Sequence, residues 1–97
     1  MSIDTITSSL GFEQITSLSA SAALTMPAVG NAGQKPKMAI IHCESQAVRW
    51  RDDGTAPTAS VGMRLTVGSE LKYDGDLNKI RFIEEVASAK LNVSYYF

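Results

Sequence analysis

Ala47-Val-Arg-Trp-Arg51 runs straight into Asp52-Asp53-Gly54-Thr55, and this junction decides how the chain is read. Successive side chains of a strand point to opposite faces, so Val48 and Trp50 share one face while Arg49 and Arg51 share the other. Asp tolerates a left-handed backbone and Gly54 has no Cβ to clash, so the chain is expected to reverse over 52–57. An alternating run closed by such a turn belongs to an antiparallel sheet.

The same period of two extends in both directions. Upstream, Lys37-Met-Ala-Ile-Ile-His-Cys-Glu44 is apolar on both parities, with Met38, Ile40 and His42 set against Ala39, Ile41 and Cys43. That pattern predicts a central strand covered on both faces. Downstream, Gly62-Met-Arg-Leu-Thr-Val67 places Met63, Leu65 and Val67 inward, and Glu70-Leu-Lys-Tyr73 puts Leu71 and Tyr73 on one face. Asp74-Gly75-Asp76 is a second turn signal. Lys79-Ile-Arg-Phe-Ile83 and Lys90-Leu-Asn-Val-Ser-Tyr-Tyr96 complete the series, with Ile80, Phe82, Leu91, Val93 and Tyr95 inward. Between them, Glu84-Glu-Val-Ala-Ser-Ala89 has room for no more than a helical turn. The expected fold is all-β, a small antiparallel β-sandwich or jelly roll of six to eight strands.

The first third has a different texture. Residues 1–34 contain ten Ser or Thr and no Lys or Arg, whereas residues 35–97 carry nine basic against eight acidic side chains. Leu18, Ala20, Ala22, Leu24 and Met26 all fall on even positions, which predicts a strand with one buried face ending at Pro27. The Gly and Pro content of 29–37 predicts an exposed, mobile loop. Residues 1–14 are expected to form an extended N-terminal arm, with Ile3, Ile6, Leu10 and Phe12 as apolar anchors on a neighbouring subunit. Residues 15–97 then form the single β-sandwich domain.

Composition narrows the function classes. With 97 residues, 20% charged and 7% aromatic, and a mean hydropathy of −0.01, the chain has the make-up of one globular domain. No stretch approaches the ~20 apolar residues of a spanning helix, so no membrane partner is expected. A net charge of −1 argues against nucleic acid, whose binding draws on clustered Lys and Arg. Asp4 is the first charged residue and Lys35 the first basic one, unlike a secretory signal, so synthesis and assembly in a cytoplasm are expected.

No catalytic constellation is legible. His42 and Cys43 are the chain's only histidine and cysteine, and as strand neighbours they point to opposite faces and cannot form a nucleophile pair. A hydrogen-bonded core histidine and a small buried thiol are the simpler expectations. Asp52-Asp53 and Asp74-Gly-Asp76 lack the full Asp-x-Asp-x-Asp-Gly calcium pattern, which leaves turn residues or partners for Arg49 and Arg51. Neither catalytic residue, metal nor cofactor is therefore expected. Arg49, Arg51, Asp52 and Asp53 combine residue types suited to bidentate pairing across an interface, with a salt-bridge lattice inside the chain as the alternative. Tyr96 has outward parity, and with Phe97 it joins the interface candidates.

The string Val48-Arg-Trp-Arg-Asp-Asp-Gly-Thr-Ala-Pro-Thr-Ala-Ser-Val-Gly-Met63, with Tyr73-Asp-Gly-Asp-Leu77, Ile80-Arg-Phe-Ile83 and Ala89-Lys-Leu-Asn-Val-Ser-Tyr-Tyr96, resembles small structural proteins of tailed-bacteriophage virions. The likeness covers roughly residues 38–97, and Arg-Trp-Arg-Asp-Asp-Gly-Thr is its most specific part. It implies a non-enzymatic, β-rich virion component, a capsid-decoration or head-associated protein. The implied partners are major capsid or head–tail proteins and further copies of the chain, since symmetric repetition is how a small domain without catalysis becomes useful. The competing expectation is a β-sandwich binding module for a host-surface glycan or receptor, with exposed tyrosines as stacking platforms.

Overall fold

The computed structural model describes residues 9–25 and 36–96. These form eight strands and, among the described residues, no helix: β1 (Ser9–Ile15), β2 (Ala22–Ala23), β3 (Met38–Glu44), β4 (Val48–Arg51), β5 (Met63–Leu65), β6 (Glu70–Tyr73), β7 (Arg81–Glu84) and β8 (Lys90–Tyr96). They assemble into two four-stranded sheets of order β1-β8-β3-β6 and β2-β7-β4-β5, antiparallel throughout. In each sheet the outer pairs follow one rule, β1 with β8, β2 with β7, β3 with β6 and β4 with β5.

Alternation places one face of each sheet in a shared core. Ala39, Ile41 and Cys43 of β3 and Leu91, Val93 and Tyr95 of β8 cluster with Val48, Leu65 and Phe82 from the other sheet. Leu18, Leu77 and Ile80, from the connections, join the same cluster. The hydrophobic effect thus holds the two sheets through side chains whose spacing was visible as period two.

β3 lies between β8 and β6, as a central strand should. Its inner face is fully buried, but Met38, Ile40 and His42 on the other face are only half-buried, since the sheet's outer face is not covered by another layer of the described chain. Because β3 and β4 belong to different sheets, the chain must turn sharply between them. Ser45 takes a left-handed φ of 77° there, and the Cys43 thiol donates to the Gln46 carbonyl at 3.0 Å.

Several expectations are corrected. The even-position run from Leu18 yields only the two-residue β2; Leu18 and Leu24 are buried, Ala22 is half-buried and Ala20 is exposed. Alanine and serine offer too little apolar area to hold a longer pleated face, so the two leucines anchor the segment, and the Leu18 carbonyl accepts from the Glu84 N–H at 2.9 Å. Met63 and Val67 are 61% and 53% exposed although Leu65 between them is buried. Parity assigns a face, and at the end of a three-residue edge strand that face has nothing opposite it. Residues 9–14, expected in the arm, form most of β1 and pair with β8 of the same chain, with Phe12 opposite Ser94 and Glu13 opposite Val93. Residues 1–8, most of the 29–37 loop, Met26 and Pro27 lie outside the described residues. The reversal after β4 spans 52–62, and Gly62 closes it with φ at 145°, where a Cβ would lie 3.1 Å from both the Arg49 Cβ and the Trp50 carbonyl oxygen.

Candidate interaction surface

β4 supplies the centre of the surface. Its pairing sets Arg49 opposite Arg64 of β5 and Arg51 opposite Arg81 of β7, on the side of the sheet away from the buried Val48 and Phe82. All four arginines of the chain therefore share one sheet face. Like charges directly opposite one another destabilise a sheet unless something is placed between them. Glu85, just after β7, does this for one pair: Arg49 Nε donates to its Oε2 at 2.8 Å and Arg64 Nε at 2.9 Å. Arg64, with Arg49 behind it, holds the Glu85 carboxyl below the usual carboxylate range. Arg49 also donates to the Gly62 carbonyl at 3.1 Å, fastening the 52–62 loop to the sheet.

At the second pair the compensation is partial. Asp53 accepts from Arg51 at 2.5 Å and 3.1 Å, a two-bond fork that lowers the Asp53 carboxyl and raises the Arg51 guanidinium. Arg81 donates instead to the carbonyls of Asn78 and Ile80, at 2.7 Å and 3.0 Å, and pairs with no carboxylate among the described residues. Beside the Arg51–Asp53 fork lies an open concavity of about 400 Å³ lined by Asp52, Val61, Gly62 and Met63 as well. Val61 is 53% exposed, so this hollow is flanked by two apolar side chains in water.

The remaining candidates fall in different places. Asp52 turns away from the arginines and accepts the Tyr73 hydroxyl at 2.7 Å. Arg49 thus pairs with Glu85, Arg51 with Asp53 and Asp52 with Tyr73, all within the chain, and of these only the Arg51–Asp53 contact is bidentate. Phe12 is 67% exposed on the outer face of the other sheet, far from this cluster in the strand order. Leu10 belongs to β1 by its backbone position. Tyr96 ends β8, half-buried, paired with Ser9 on one side and Met38 on the other. Ile3, Ile6 and Phe97 lie outside the described residues.

His42 departs from the expected core histidine. It is half-buried on the outer face of its sheet, where its Nδ1 lies 3.3 Å from Asn92 Nδ2. Asn92 donates in turn to Glu44 at 2.8 Å and accepts from Gln14 at 2.9 Å. Cys43, on the opposite face, is fully buried, and burial pushes its thiol pKa up. Among the described residues no three of His, Cys, Asp and Glu converge as a metal site would require.

Reading the sequence missed Glu85, Arg64 and Arg81 as members of this surface. Their outward parity was available, but only the pairing of β4 with both β5 and β7 brings them beside Arg49 and Arg51. Compared with protein-family models, curated proteins and solved structures, the chain matches none.

Proposed function

We propose that the two sheets close into a jelly-roll β-sandwich and that this domain is a non-enzymatic structural component of a tailed-bacteriophage virion. It decorates or cements the capsid or the head–tail region through repeated subunit contacts. The observation that carries the reading is the strand order, β1-β8-β3-β6 against β2-β7-β4-β5, in which every outer pair belongs to one rolled ribbon. That architecture recurs in viral capsid domains, where it supplies a rigid body with free loops and edges. The segment with the most specific phage likeness, Arg49 to Thr55, agrees with this use: from Asp52 onward it is exposed, at the rim of the arginine face.

The chain is made in the bacterial host cytoplasm and acts in the virion, beside major capsid or head–tail proteins and other copies of itself. The glycan-module reading has weaker support. Trp50 packs edge-on against Tyr73 at a ring separation of 6.0 Å and Tyr96 is half-buried between strands, so neither offers an open stacking platform.

Cryo-electron microscopy of intact particles tests the proposal. Density for the eight-stranded domain at symmetry-related positions supports it, and particles that lack the chain while it stays in the host lysate overturn it.

A further inference from the structure

The two cross-strand arginine pairs of the β2-β7-β4-β5 sheet are built alike and completed differently. Between Arg49 and Arg64 a carboxylate from the same chain, Glu85, bonds to both guanidinium groups, and its side chain is only 15% exposed. At the Arg51–Arg81 pair the only carboxylate bonded to either arginine among the described residues is that of Asp53, which is 55% exposed and bonds to Arg51 alone. The isolated chain thus carries an arginine pair in direct opposition with no carboxylate bridging its two members.

We propose that this slot receives a carboxylate from an acidic segment of another protein, which bridges Arg81 and Arg51 as Glu85 bridges Arg64 and Arg49. Charge complementarity names the occupant: four guanidinium groups on the face meet two carboxylates, leaving it positive on a chain whose net charge is −1. Two uncompensated charges are too few to hold a polyphosphate backbone by counterion release, whereas a planar guanidinium forks onto a carboxylate with two bonds. The flanking surface fits the same partner. Val61 stands exposed beside the Arg51–Asp53 fork, and Met63, whose strand position puts it on the Trp50 side of the sheet, is exposed at the rim of the same hollow; arginine and methionine next to apolar area are what protein interfaces select. The bound segment therefore has an Asp or Glu for the arginine pair and an apolar side chain for the Val61–Met63 hollow.

The inference gives the partner chemistry of the contact module proposed above and rests on that reading only for where the partner resides. Its test needs the full chain alone. A ¹⁵N-labelled sample is titrated with a synthetic glutamate-rich peptide carrying one central Leu, with a single-stranded oligonucleotide of equal charge, and with unlabelled copies of itself. The expected result is peptide-induced shifts concentrated at Arg51, Met63 and Arg81, weakened roughly tenfold by Arg81→Glu. Lys72→Glu, on the other sheet, leaves them unchanged. Arg81→Gln, which keeps a donor for the Asn78 and Ile80 carbonyls, must weaken binding in the same direction while the rest of the spectrum stays in place. Shifts spread equally over the Lys72 face, tighter binding of the oligonucleotide, or a self-association that Arg81→Gln abolishes while peptide binding persists would each overturn the proposal. Particle microscopy reads the virion assignment separately, so either result can fail without the other.

Discussion

The Tyr73 hydroxyl, at the end of β6, donates a 2.7 Å hydrogen bond to Asp52 Oδ2 in the loop that follows β4, and so ties one sheet to the other at their shared end. Trp50 meets the same ring edge-on, with an interplanar angle of 67°. One aromatic side chain therefore closes the core beneath the loop that frames the arginine face. Burial, and next the bond to Asp52, push the Tyr73 hydroxyl pKa up to about 12.

Unfolding returns Tyr73 to the ordinary tyrosine value near ~10. A raised folded value means that the unfolded chain loses this proton first, so the stabilisation is whole below the ordinary value and disappears as pH climbs through the folded one. Tyr73→Phe is expected to lower stability by about 1 kcal/mol at neutral pH, the net worth of one hydrogen bond. Urea denaturation of the two proteins at neutral and alkaline pH checks both the loss and its disappearance.

Gly75 lies under the same ring, and a Cβ there would come within 2.5 Å of the Tyr73 oxygen. A tyrosine pinned by both Asp52 and Trp50 cannot swing aside at no cost. Gly75→Ala should destabilise by about 1–3 kcal/mol, the usual range for overpacking. In Tyr73→Phe the ring carbons at 2.6 and 3.0 Å still crowd the added Cβ, but a ring released from Asp52 can give way, so the same substitution should be milder; equal losses in both backgrounds would refute the pinned hydroxyl as the cause.

Glu85→Gln leaves Arg49 and Arg64 facing each other without a charge between them. The folded Glu85 carboxyl lies below the ordinary range, so its contribution is complete above the ordinary carboxylate pKa and fades as pH falls through the folded value. The variant should be less stable than the parent at neutral pH and indistinguishable from it in acid. It should lose more than Asp53→Asn does, since Asp53 serves one exposed arginine. Denaturant midpoints across this pH range decide the matter.

Cys43 is fully buried and its thiol is held above the ordinary range by that burial, so little reactive thiolate is present. Ellman's reagent should leave the native protein essentially unmodified and consume one thiol per chain once urea is added. Fast labelling of the folded protein would mean that β3 is not covered on its inner face.

Much of the sheet architecture could be read from parity alone. Phe82, Leu91, Val93 and Tyr95 lie inward where alternation places them, and Val48 shares the Trp50 face as alternation requires, because side-chain direction in a strand is a local property. Coverage is not local, which is why Met63 is exposed while Leu65 is buried, and why the outer face of β3 is half open despite its apolar residues. The arginine surface was half legible. Arg49, Arg51 and Asp53 were marked, but Glu85 as the partner of Arg49 and the opposition of Arg81 depend on register between strands distant in sequence. The exception was the fork from Arg51 to Asp53, two residues apart, and it is the only one of these bonds that the sequence order itself brings together.

The pairing of strands also dictates the order in which the chain can mature. Only β4 and β5 are both consecutive and paired; every other pairing joins strands farther apart, out to Glu13 and Tyr95, whose side chains bond across 82 positions. Closing such long loops comes late and slowly compared with local contacts. During translation the inner hairpin has its partner almost at once, whereas β1 leaves the ribosome well before β8 and waits for it. Its edge stays unsatisfied throughout that interval, so crowded nascent chains would exchange β1 strands more readily than any other part of the molecule.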